Sequence, residues 1–109
     1  MRARLPLTLA ASAAASLLLS TPIAAAPQTH VIVMAKMKFG PAPAKLRPGD
    51  VILWVNRDPV RHTATATDKS FDVDVPAGAA KRMVVRKSGS IAYVCKYHPS
   101  MRGVLRVSR

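Results

Sequence analysis

After Ala26, no stretch of the chain keeps its apolar residues in helical register for three turns. They fall instead into short runs rich in Val, Ile and Thr, each ended by Pro, Gly, Asn or Asp. The runs are His30 to Met34, Val51 to Val55, His62 to Thr67, Phe71 to Val75, Lys81 to Arg86, Ser90 to Cys95, and Val104 to Val107. Between them lie turn signals such as Arg47-Pro48-Gly49-Asp50, Asn56 to Pro59, Pro76-Ala77-Gly78 and Lys87-Ser88-Gly89. Six to eight closely spaced strands with no linker or internal repeat predict a single all-β sandwich or barrel. Val51 to Val55 is apolar throughout and carries Trp54, the pattern of a strand covered on both faces.

Residues 1–26 stand outside this pattern. Arg2 and Arg4 precede an uncharged run from Leu5 to Leu19, and small residues cluster at Ala24, Ala25 and Ala26. A basic head, an apolar middle and a small-residue exit predict a secretory signal peptide, cleaved between Ala24 and Ala26. The apolar run is shorter than the roughly 17–25 residues that cross a bilayer, so stable membrane insertion is not expected after cleavage. The expected mature chain is residues 27–109, in the periplasm.

Losing the first 24 to 26 of 109 residues leaves 83 to 85. A domain of that size has little stability to spare and usually depends on a disulfide, a metal or a partner. One cysteine, Cys95, cannot form an internal disulfide, and a free thiol is a hazard in an oxidising compartment. A metal at Cys95 answers both problems.

Charge narrows the partners. The chain has 17 Lys+Arg against 5 Asp+Glu, and without Arg2 and Arg4 the balance is 15 against 5. Export and an aromatic content of 5% argue against nucleic acid, which needs stacking platforms. The excess suits solubility, or a docking surface for an acidic protein or for anionic lipid. A monomer is expected.

The chemistry concentrates in the segment from Tyr93 to Gly103, which holds Cys95, His98 and Met101 at intervals of three. It lies between the last two strands, so a short loop can aim all three side chains at one centre. Pro99 stiffens that loop. Thiolate and thioether are soft donors and imidazole is borderline, and two His, one Cys and a weak axial Met make the blue-copper donor set. The second His must come from elsewhere. His62, just past a turn, is the better candidate, and His30 near the mature N-terminus is the other. Such a site suits both copper oxidation states, so little moves on electron transfer. Four protein donors also leave no open position for a substrate, which argues for a carrier over an enzyme.

The loop Cys95-x-x-His98-x-x-Met101, with Pro99 after the His and Arg102-Gly103 after the Met, resembles that of the amicyanins. Upstream, Ala35 to Phe39, Pro48-Gly49-Asp50, Trp54 to Arg57 and His62 follow in amicyanin order. The resemblance implies a cupredoxin Greek-key β-sandwich, one type 1 copper ion, a one-electron shuttle between periplasmic redox proteins, and His62, Cys95, His98 and Met101 as ligands. It departs from the family at Thr63, where amicyanins carry Asn after the first ligand His. A threonine hydroxyl can replace part of that hydrogen bonding. The His62 to Cys95 segment is also shorter, and Lys96 and Tyr97 are bulkier and more charged.

Other residues carry blander expectations. Trp54, Phe39, Phe71, Tyr93 and Val94 are read as core, Met34, Met37 and Met83 as core filler, His30 as a surface residue, and Asn56 as a tie between turns. His98 is the expected electron port, with Pro99, Tyr97 and Pro41 at its rim and Lys96 and Arg102 as steering cations. A copper storage or delivery protein would use the same ligands.

Overall fold

The computed structural model describes residues 2–20 and 26–109. Residues 2–20 form neither helix nor strand and are exposed. Among the described residues no helix is long and apolar enough to cross a membrane. Ala24 and Ala25, at the expected signal exit, lie outside the described residues.

Eight strands follow in chain order: β1 (Thr29–Ala35), β2 (Lys38–Phe39), β3 (Val51–Asn56), β4 (His62–Ala66), β5 (Asp72–Val75), β6 (Ala80–Val84), β7 (Gly89–Val94) and β8 (Arg102–Val107). They form two four-stranded sheets, ordered β2-β1-β3-β6 and β5-β4-β7-β8. The chain changes sheet after β3, β5 and β6, giving an all-β Greek-key sandwich. The β1–β3 pair is parallel, with Val31 beside Leu53 and Val33 beside Val55; the other pairs are antiparallel.

Alternation along each strand builds the core. Ile32, Met34, Ile52 and Trp54 point inward from one sheet, and Ala64, Ala66, Ile91, Tyr93 and Leu105 from the other. Trp54 and Tyr93 meet edge to face at 5.2 Å between ring centroids, and Phe39 meets Tyr93 at 4.8 Å. Such pairs add roughly 0.5–1.5 kcal/mol beyond the area they bury. Burial also pushes the Tyr93 phenol up to about 12. Gly103 lies opposite Tyr93, and a Cβ there would run into the end of the Tyr93 ring.

Five local expectations need correction. β2 was not foreseen, because two residues show no alternation. His30 is not a loose surface group: it sits within β1 and its Nε2 lies 3.2 Å from Asp50 Oδ2. Val94 alternates with inward Tyr93 and stays outside the core. Met37 occupies a left-handed turn position (φ 60°) and is 41% exposed, whereas Met34 is fully buried. Finally, the two faces of β3 are covered unequally: Ile52 and Trp54 are fully buried on one, while on the other Val51 is buried but Leu53 and Val55 are only half-buried.

Candidate metal centre

Two segments converge at the end of the sandwich where β1 and β3 finish. The first is the turn from Arg57 to Arg61, which delivers His62 at the start of β4. Asn56 organises it: its side-chain amide donates to the carbonyls of Val60 (2.8 Å), Val75 (3.0 Å) and Pro76 (3.3 Å), and its Oδ1 accepts the Asp58 N–H (2.9 Å). Asn56 is 1% exposed, so these bonds replace water it has lost. The second is the loop between β7 and β8. The His98 N–H donates to the Cys95 carbonyl (3.3 Å), the Met101 N–H to the His98 carbonyl (2.9 Å), and the Cys95 N–H to the Met101 carbonyl (3.2 Å). These bonds wind the loop tightly enough to turn Cys95 and His98 toward one point.

His62 Nδ1, Cys95 Sγ and His98 Nδ1 form a triangle with sides of 3.2 Å (His62–His98), 3.8 Å (His62–Cys95) and 3.6 Å (Cys95–His98). A point equidistant from three atoms so spaced lies about 2.1 Å from each, the length of a metal–nitrogen or short metal–sulfur bond. His62 and Cys95 are fully buried, His98 is half-buried, and Met101 belongs to the same buried cluster at 1% exposure. His30 lies apart, engaged with Asp50.

Hydrogen bonds fix what these atoms present. The His62 Nε2–H donates to Asp58 Oδ2 at 2.7 Å, which leaves the Nδ1 lone pair facing the centre. The Thr63 N–H donates to Cys95 Sγ at 3.4 Å and so orients the sulfur. The three donor atoms stand close enough together to share one small cation. The donor set therefore fits a type 1 copper site: two imidazoles, a thiolate and a neighbouring thioether, enclosed and anchored from behind.

Asp58 is the functional residue that sequence reading missed. Its carboxylate accepts the amides of Lys36 (2.7 Å) and Met37 (2.9 Å) as well as His62. Lys36 and Met37 both have positive φ, so consecutive N–H groups of the β1–β2 turn point at one carboxylate. The His62 bond, followed by the Met37 and Lys36 amides, holds the Asp58 carboxyl below its ordinary value of 3.8. The one available sequence signal was a carboxylate four residues before a candidate ligand His. Thr63 takes the expected bridging part: its Oγ1 accepts the Lys96 N–H at 2.9 Å and lies 2.9 Å from Thr65 Oγ1, tying the loop to β4.

At the surface, Tyr97 is 56% exposed and Pro41 and Pro99 are exposed. Lys96 is paired with Asp72 at 3.0 Å, and Arg102 Nε donates to the Pro99 carbonyl at 3.0 Å.

A family model described as Cupredoxin-like domain matches residues 8–107. Among solved structures, the chain is similar to a methionine-to-glutamine variant of amicyanin in its Cu(I) form, with 23% identity over 73% of this chain and 82% of that one, at a TM-score of 0.65. A methionine-to-alanine variant of amicyanin, also Cu(I), is 25% identical over 80% of this chain and 87% of that one, with a TM-score of 0.64. The Cu-containing nitrite reductase from Thermus scotoductus SA-01 is 26% identical over 84% of this chain but only 26% of its own length, with a TM-score of 0.64. No curated protein matches in sequence.

Proposed function

The chain belongs to the cupredoxin-like domain family, and from that membership we propose that it is an exported, mobile one-electron carrier in which His62, Cys95, His98 and Met101 hold one type 1 copper ion. The observation that carries the reading is the triangle of His62 Nδ1, Cys95 Sγ and His98 Nδ1, whose spacing leaves room for one ion and for nothing larger. Bound copper supplies the reversible step between Cu(II) and Cu(I). The chain supplies the frame. Asp58 holds the His62 ring from behind, and the Thr63 amide donates to the Cys95 sulfur. The fold excludes water from His62 and Cys95, while His98 keeps an edge at the surface as the port for electrons. With four protein donors no place is left for a substrate, so the proposal is a carrier and not an enzyme.

The basic, apolar and small-residue sections of residues 1–26 support export, and the proposal takes the mature protein as a periplasmic monomer. Its redox partners carry acidic docking surfaces. Lys96 is already neutralised by Asp72, so steering at the port falls to Arg102 and to Lys36 and Arg57 on the converging turns.

Adding Cu(II) to the purified protein tests the centre. An intense visible charge-transfer band that bleaches on reduction and is missing from Cys95→Ser is expected. A colourless protein overturns the reading. Ready loss of Cu(I) to a chelator would instead assign the ligands to copper storage or delivery.

A further inference from the structure

β3 is apolar on both faces, and the fold buries only one of them along its whole length. Outward from β3 point Leu53 and Val55, and the register continues this surface to Val31 and Val33 on β1 and to Val84 on β6. Val31 is 53% and Val84 44% exposed. Val51, at the start of the same face, is 8% exposed, and Leu53 and Val55 are half-buried. The other sheet also turns Ala92, Val94 and Val104 outward, but there they stand among Thr65, Asp72, Asp74, Ser90, Arg102 and Arg106, so polar and charged groups of both signs break up the surface. A sheet with a free face ordinarily alternates apolar and polar residues. A contiguous aliphatic face with charge at its margin marks a contact surface.

Charge selects the occupant. Strands β1, β2, β3 and β6 contain no Asp or Glu. Lys38, opposite Ala35, and Arg82, opposite Leu53, set cations on the outward face. All five acids of the chain lie elsewhere, each within 4 Å of a basic partner: Asp50 with His30, Asp58 with His62, Asp68 with Lys87, Asp72 with Lys96 and Asp74 with Arg61. A second copy would bring the same uncompensated cations face to face. A bilayer surface is engaged through aromatic anchors and long apolar side chains, and this face has no aromatic residue.

We infer that the outward face of the β2-β1-β3-β6 sheet docks a partner protein with an aliphatic centre and a carboxylate rim. This face runs along the strands, whereas His98 lies at their end. A partner seated here leaves the port free, so the protein can be held by one molecule while it meets another. The inference does not rest on the metal chemistry.

Site-directed photo-crosslinking in cells that make the full chain tests it. A photoreactive phenylalanine analogue replaces Val31, with the same analogue at exposed Ala92 on the other sheet as control. The expected result is one discrete adduct from position 31, absent from position 92, whose captured protein is acidic. Arg82→Glu with Lys38→Glu should cut its yield by about tenfold or more, since like charges at a contact cost several kcal/mol, and should leave the visible spectrum unchanged. Self-crosslinked dimer, lipid adducts, equal labelling at position 92, no adduct, or a yield that ignores the charge reversals would each overturn the inference.

Discussion

Replacing Asp58 with Asn tests whether its charge acts on the metal centre through His62. The carboxylate lies 2.7 Å from His62 Nε2, and the far side of that ring faces the three-donor centre. Crossing the imidazole and a metal–nitrogen bond of about 2 Å puts the negative charge about 7 Å from a bound ion. At an effective dielectric near 20, a unit charge at that distance contributes roughly 2 kcal/mol. For one electron, tenfold in equilibrium is about 59 mV, so the full effect is about 90 mV. Asp58 is ionised at neutral pH, because its pKa is held below 3.8 by the His62 bond and the two turn amides. An anion favours the more positive oxidation state, so losing it favours Cu(I) and raises the potential. Asp58→Asn should therefore raise the reduction potential by about 50–100 mV in spectroelectrochemistry of the copper-loaded protein. A second readout is stability. Three N–H donors share two oxygens, an amide offers only one, and the donor left facing the amide NH2 should cost about 1–3 kcal/mol in urea unfolding. A potential within about 10 mV of the unmodified protein, or a lower one, would refute the claim that this carboxylate acts through the ring.

Thr63→Val removes the acceptor of the Lys96 N–H while keeping shape, and should cost about 1–2 kcal/mol in chemical denaturation; Thr63→Ser should recover most of it. Gly103→Ala drives a methyl into the end of the Tyr93 ring, which is wedged between Trp54 and Phe39, and should lower stability by about 1–3 kcal/mol, read as a lower thermal midpoint. Asp50 accepts the amides of Gln28 and Arg47 and meets His30; with the Gln28 bond leading, these hold its carboxyl below 3.8. Its stabilisation is thus full above about pH 4, where the unfolded chain has already lost the proton, and fades as pH falls through the lower folded value. Urea midpoints should place Asp50→Asn well below the parent at pH 6, with the gap narrowing steadily as pH falls below 4.

The sandwich was legible because period-two alternation and Pro/Gly punctuation are local properties. Ile32 and Met34, or Ile91 and Tyr93, sort to one face whatever the rest of the chain does. What stayed hidden depends on distant partners. Asp58 reads as an ordinary turn acid until the amides of Lys36 and Met37, some twenty positions earlier, fold over it. His30 reads as a loose terminal group until Asp50 reaches it across the β1–β3 pair. The Cys95 loop was visible as three soft or borderline donors at even spacing, but spacing alone could not choose between His62 and His30 as the fourth contributor. The start of β4 decides that: the Asn56 turn brings His62 Nδ1 to 3.2 Å from His98 Nδ1.

The same distinction explains why the Val51 to Val55 run misled in an informative way. Its composition reported the polarity of both surroundings, and a strand apolar on two sides predicts two covers. The chain provides one along the whole strand, in the aromatic layer around Trp54. Leu53 and Val55 are as apolar as the buried positions beside them, and Val31 on β1 and Val84 on β6 extend the same surface. On the other sheet the outward aliphatics Val94 and Val104 are interrupted by Thr65, Asp72, Ser90 and Arg106, whereas here Val31, Val33, Leu53, Val55 and Val84 stand beside one another across three strands with no acid among them. The register joins these side chains into one surface, and a surface of that kind is explained by contact with something outside the chain.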